Sequence, residues 1–167
     1  KDGKLIFDFD EKDVHTPGTE PTAVANKISM ESGTTLRAQS YVALEGGLLV
    51  EGSVSLGAQK GMAINAPIVG DEMSALTVGQ NSLVALNTAN PDFEGSWTVA
   101  QGATLQLNHE NAARNAGIAG DSNYDAAWLE LGAESDTYYA AGLSQTISVV
   151  TGEEGVMKTL VLDGLQV

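Results

Sequence analysis

An apolar quartet with fixed internal spacing returns four times between residues 34 and 107, and no other feature restricts the fold so tightly. Three sets are fully apolar: Val54/Leu56/Met62/Ile64, Leu76/Val78/Val84/Leu86 and Trp97/Val99/Leu105/Leu107. They step by 22 and then 21 residues, within the range of solenoid repeats. A set opening on threonine, Thr34/Leu36/Val42/Leu44, precedes them. Residues at i and i+2 of an extended chain point the same way, so each doublet marks one short strand with one buried face. Two such strands recur per repeat, and burial is shared between neighbouring windings. The expected fold is all-β, a parallel β-helix (β-solenoid) of roughly 21 residues per coil.

Five residues separate the doublets, and three of the four bends contain Gly, as a change of strand direction favours. A glutamine recurs there at Gln39, Gln59, Gln80 and Gln101. Equivalent residues of stacked coils lie about 4.8 Å apart, so these amides either hydrogen-bond up the stack or are simply tolerated polar turn residues. Leu48/Val50 and Ile68/Val69 supply a candidate third strand. Composition agrees with this architecture: 19 Gly and few aromatics accompany a near absence of long helical periodicity. At roughly 21 residues per coil the chain makes about eight coils, a rod of about 38 Å. It opens on Lys1 and ends on the alternation Leu160/Leu162/Leu165/Val167 with no polar closing segment, so we expect a segment of a longer chain.

One elongated domain, residues 1–167, is expected without a linker. Residues 1–33 read as an irregular first coil or an insertion, with an alternating strand at residues 4–9 followed by a charged loop through Pro17 and Pro21. Residues 34–107 hold the clearest repeats. Residues 108–127 read as a loop or short helix, because Glu110 and Arg114 stand at i and i+4 among Ala112, Ala113 and Ala116, with Asn108 placed to cap. Residues 128–167 resume the strand pattern at Trp128/Leu129/Leu131 and continue through Leu143, Ile147 and Val149 as further coils.

Charge and composition exclude several function classes. Twenty-two Asp and Glu against eight Lys and Arg leave a net charge of −14, which repels phosphate backbones and anionic headgroups, so neither nucleic acid nor a membrane surface is an expected partner. No apolar run is long enough to cross a bilayer as a helix, so this segment is not expected to insert into a membrane. Without cysteine there is no disulfide and no thiolate metal site. His15 and His109 are the only histidines and lie far apart, Arg37 and Arg114 are the only arginines, and no nucleophile elbow or phosphate-cradling loop occurs. We therefore expect no enzyme, no catalytic residue and no cofactor. The densest acidic run, Asp8, Asp10, Glu11 and Asp13, is either a calcium candidate or a solvated strand face. A second group, Asp121, Asp125, Trp128, Glu134, Asp136, Tyr138 and Tyr139, sets carboxylates beside aromatics, as a carbohydrate or partner face does. The alternative places Trp128 and one of the tyrosines in the core.

Residues 90–107, with Phe93, Gly95, Thr98, Val99, Gly102, Thr104, Leu105 and Leu107, resemble the autotransporter-associated β-strand repeat. Residues 112–118 and then Trp128-Leu129-Glu130-Leu131 resemble that repeat's small-residue turn and its next leucine-rich strand. The resemblance implies a right-handed coil, in keeping with the hand of parallel crossovers. It also implies an extracellular passenger on a Gram-negative cell surface, anchored in the outer membrane through a part outside this sequence. Adhesion, self-aggregation and biofilm formation are the implied activities, with a second copy or a host surface glycan or protein as partner. A passive stalk presenting another domain, or a polysaccharide-acting β-helix enzyme, are the alternatives.

Overall fold

The computed structural model describes residues 3–8, 20–121 and 126–163, and among them every regular element is a β-strand. All strand pairs are parallel and join residues one repeat apart, giving three sheets. Sheet A holds β1 (Lys4–Phe7), β4 (Thr35–Ala38), β7 (Ser53–Ala58), β10 (Ala75–Val78), β12 (Ser96–Val99), β14 (Ala113–Gly120), β16 (Thr137–Leu143) and β18 (Thr159–Leu162). Sheet B holds β2 (Thr22–Val24), β5 (Val42–Leu44), β8 (Met62–Ile64), β11 (Leu83–Leu86), β13 (Thr104–Leu107), β15 (Trp128–Leu131) and β17 (Ser148–Thr151). The shorter sheet C holds β3 (Ile28–Glu31), β6 (Leu48–Glu51) and β9 (Ile68–Val69), which is the expected third strand. The chain is a β-solenoid of seven A–B turns, with β18 opening an eighth. Eight stacked strands at about 4.8 Å span about 34 Å along the axis.

The quartets become columns. Val54, Leu76, Trp97 and Ile118 are register partners in sheet A, as Met62, Val84, Leu105 and Leu129 are in sheet B. None of the eight is more than 2 % exposed. Burying each such side chain contributes about 1.5–3 kcal/mol, and because the coil above and the coil below supply the cover, stability accrues from neighbour to neighbour along the axis.

Sheet C stops after β9, although the coil does not. Gly70 still bridges to Phe93, and then one side chain takes over. Asn90 is 2 % exposed, accepts the Ile68 N–H on Oδ1 at 2.8 Å and donates from Nδ2 to Ala112 O at 2.8 Å. One amide thus pairs with the coil below and the coil above, as a strand would. The rod is three-sided over its first coils and two-sided beyond this point.

One regional expectation changes. Residues 113–120 form β14, not a helical turn, because Ala113, Ala116, Ile118 and Gly120 face inward while Arg114 and Asn115 face out as a pair. That double outward step coincides with a register shift between Ala113 and Gly117 against β16. Arg114 does not bond Glu110; it pairs with Asp163 at 3.3 Å. In residues 1–33 the strands β1, β2 and β3 take places in sheets A, B and C, but Lys4 pairs with Thr35, 31 residues on, where Thr35 pairs with Ser55, 20 on, so the first coil is longer than the next, as an irregular coil or an insertion between β1 and β2 makes it.

Candidate interaction surfaces

The outer face of sheet A carries two ranks of small side chains. Thr35, Ser55, Thr77, Thr98 and Ala119 are successive register partners, and Ser53, Ala75, Ser96 and Gly117 run beside them. Alternation explains the ranks, since Ser55, Thr77 and Thr98 each lie between two inward apolar residues of their strand, and Ser53, Ala75 and Ser96 each open a strand just before an inward one. Strands β7, β10 and β12 contain no charged residue, and none of the eight strands of sheet A contains Asp or Glu. Twenty-two carboxylates are therefore distributed elsewhere on the chain. The charges on this sheet are Lys4, Arg37 and Arg114.

A ladder of amides does run along the rod, but at a corner other than the expected one. Asn108 Nδ2 donates to Asn87 Oδ1, Asn87 Nδ2 to Asn65 Oδ1, and Asn65 Nδ2 to Glu45 Oε1, each at 2.7 Å. These residues follow the inward Leu44, Ile64, Leu86 and Leu107 of sheet B, so one turn position repeats in four coils. Glu45 has no donor to return, and every amide points toward it. The glutamines form no such ladder. Gln39 and Gln59 lie three residues past register partners Leu36 and Leu56, whereas Gln80 and Gln101 lie two past Val78 and Val99, so the four do not share one column. All four are exposed.

The residues expected to form a carbohydrate or partner face are divided among separate surfaces. Trp128 projects from the outside of sheet B and is 36 % exposed. Tyr138 points into the core of sheet A at 0 % exposure, donates to Gly132 O at 2.6 Å and accepts the Ser135 N–H at 3.2 Å. Burial, followed by the charges of Glu134, Asp136 and Glu153 against one opposing backbone bond, pushes its phenol above the ordinary value. Tyr139 lies on the outside of sheet A with the Arg114 guanidinium 4.6 Å from its ring centroid, so that ring face is already covered. Glu134 and Asp136 are exposed in the turn between β15 and β16, and Asp121 follows β14 with its N–H bonded to Val99 O. Asp125 lies outside the described residues. Of the alternatives, the core tyrosine is Tyr138, and Trp128 is not core. In the acidic run, Asp8 is exposed after β1, while Asp10, Glu11 and Asp13 lie outside the described residues. Among the described residues no three His, Cys, Asp or Glu side chains gather as metal ligands.

Sequence reasoning missed the hydroxyl ranks, the asparagine ladder and the buried Asn90. A signal for the first two was present, because Ser, Thr and Asn recur at the quartet's own period. Within residues 90–107 the motif residues are structural: Phe93 packs edge-on against Trp97 with centroids 5.8 Å apart, and a Cβ at Gly95 would collide with Ser74 O. Compared with known proteins, the chain matches no family model, no curated protein and no solved structure.

Proposed function

We propose that this chain is a self-associating segment of a cell-surface passenger, of the kind its repeat resembles, and that it adheres through the outside of sheet A. One observation carries the reading: on a chain of net charge −14, an entire sheet is free of carboxylates. Two such rods repel at long range, and the sheet A faces are where they meet with the fewest opposing like charges, Glu72, Glu94 and Asp163 lying at the margin beside Arg114, Asn115 and Ala141. Serine and threonine hydroxyls both donate and accept, so facing ranks satisfy one another in either chain sense. Packing of short side chains also brings flat sheets close, as in stacked β-structures.

The contact is small. A face about 34 Å long and four residues wide, about 13 Å, covers about 440 Å² per partner, against about 800 Å² for a stable protein interface. One contact is weak, and many rods on one cell surface multiply it. The test is therefore made on cells. Displayed on a bacterium that does not clump by itself, the parent chain drives settling of the suspension, and Thr77→Glu/Thr98→Glu keeps it dispersed. Gln80→Glu, an equal charge change at an exposed corner, leaves settling unchanged. If the double variant settles like the parent, the sheet A reading is wrong and a passive stalk becomes the better account.

A further inference from the structure

We propose that the groove where the asparagine ladder ends binds one neutral sugar residue, either free or at the end of a glycan chain. The groove has a volume of about 370 Å³ and is lined by Asn87, Asn108, His109, Glu110, Glu134 and Ser135. Ligand clefts run from about 300 to 1,000 Å³ and are mostly apolar, so a small and strongly polar one suits a compact polyol and not a lipid or an aromatic.

The groove exists because the ladder stops. In the register of sheet B the rung after Asn108 falls to Gly132, next in chain to Leu131, the partner of Leu107. A Cβ there would collide with Asn108 Oδ1, so the next coil has no side chain to set on the ladder. Asn108 Nδ2 is committed to Asn87 and, at 3.2 Å, to Gln106 Oε1. Its Oδ1 accepts no hydrogen bond among the described residues. That oxygen lies against the Cα of Gly132 and is held in place by the whole ladder beneath it.

The other groups complete a set for hydroxyls. His109 accepts the Asn111 N–H on Nδ1 at 3.1 Å, which leaves Nε2 to carry the ring proton as a donor. Glu134 accepts no hydrogen bond among the described residues, and Glu110 accepts one, from Asn111 Nδ2 at 3.2 Å. A sugar ring presents adjacent hydroxyls that each donate and accept, matching carboxylate acceptors next to an imidazole donor. Two carboxylates against one ammonium, that of Lys158 bonded to Ser135 O at 2.7 Å, disfavour uronic and other acidic sugars. The groove lies at the corner that follows sheet B, in the same coils as the hydroxyl ranks but off the outer face of sheet A, so the proposal stands apart from self-association.

The ¹⁵N-labelled chain is titrated, with amide shifts read by NMR, against galactose, mannose and N-acetylglucosamine, their methyl glycosides, and glucuronate. At least one neutral sugar is expected to shift the amides of residues 108–110 and 134–135 saturably with a Kd of about millimolar, as suits so small a ligand. Glucuronate shifts none of them. Glu110→Gln and Glu134→Gln each weaken binding about tenfold through loss of a charge-assisted bond, at unchanged thermal stability. Retained binding of the methyl glycoside supports the end of a glycan chain as the source; its loss supports a free reducing sugar. The proposal is overturned if no neutral sugar produces saturable shifts at these amides, or if Glu110→Gln/Glu134→Gln binds like the parent.

Discussion

Replacing Asn90 by alanine tests whether one side chain substitutes for a missing strand. The change removes the acceptor of the Ile68 N–H and the donor to Ala112 O, both buried bonds of 2.8 Å. Leaving two buried backbone groups unpaired costs about 1–3 kcal/mol each, or about 2–6 kcal/mol together. Water entering the space vacated by the amide lowers the figure, and we expect about 3 kcal/mol. For a chain of this length that corresponds to a fall in Tm of about 6–12 °C. Urea and thermal denaturation measure the total, and hydrogen exchange at Ile68 and its neighbours locates the loss, which neighbour-coupled coils require because opening need not be global. Asn90→Asp is the companion variant. It keeps an acceptor for Ile68 but faces Ala112 O with a carboxylate, so it is at least as damaging at neutral pH, and it recovers in acid, where the protonated group donates again. If Asn90→Ala costs under about 1 kcal/mol and Ile68 stays protected, the backbone carries the three-to-two-sided transition alone and this account is wrong.

Gly95→Ala sets a methyl against Ser74 O and is expected to destabilise by about 1–3 kcal/mol, whereas Gly117→Ala, whose Cβ meets nothing within 4 Å, is neutral or mildly stabilising; equal denaturation midpoints would contradict this. Alkaline stability depends on two tyrosines. Burial first, and then neighbouring carboxylates, raise the phenols of Tyr138 and Tyr41 above 10.0, so the folded chain keeps protons that the unfolded chain releases. The resulting stability is full below pH 10.0 and is lost as pH rises through the folded values. Tyr138→Phe therefore costs about 1 kcal/mol at neutral pH through its lost bonds and makes the alkaline decline shallower, as denaturation midpoints across that range will register.

The columns were legible because core positions tolerate few residue types, and a repeating spacing of Leu, Val and Ile leaves a visible trace. Trp97 in place of Leu76 does not disguise its column, since both fill the same inward space. Strand β14 was hidden for a physical reason. Its inward residues are mostly Ala and Gly, which suit a helix as well as a strand, and the two outward residues Arg114 and Asn115 break the alternation that would have decided between them. The glutamine and asparagine corners differ in register alone. A side chain one position off its column does not reach its counterpart, so Gln80 beside Gln59 carries no bond while Asn87 beside Asn65 does. Tyr138 and Tyr139 separate by strand alternation, core against surface, once the register of β16 is known.

The asparagine ladder also determines how the rod ages. Each amide passes its hydrogens in one direction, so a group that only accepts has a single tolerable place, at the terminus where Glu45 stands. Slow hydrolysis of Asn65 or Asn87 to aspartate would set two acceptors facing each other partway up and sever the relay at that coil. The corner that ties the windings together is thereby also a clock, whose first tick is one lost ammonia.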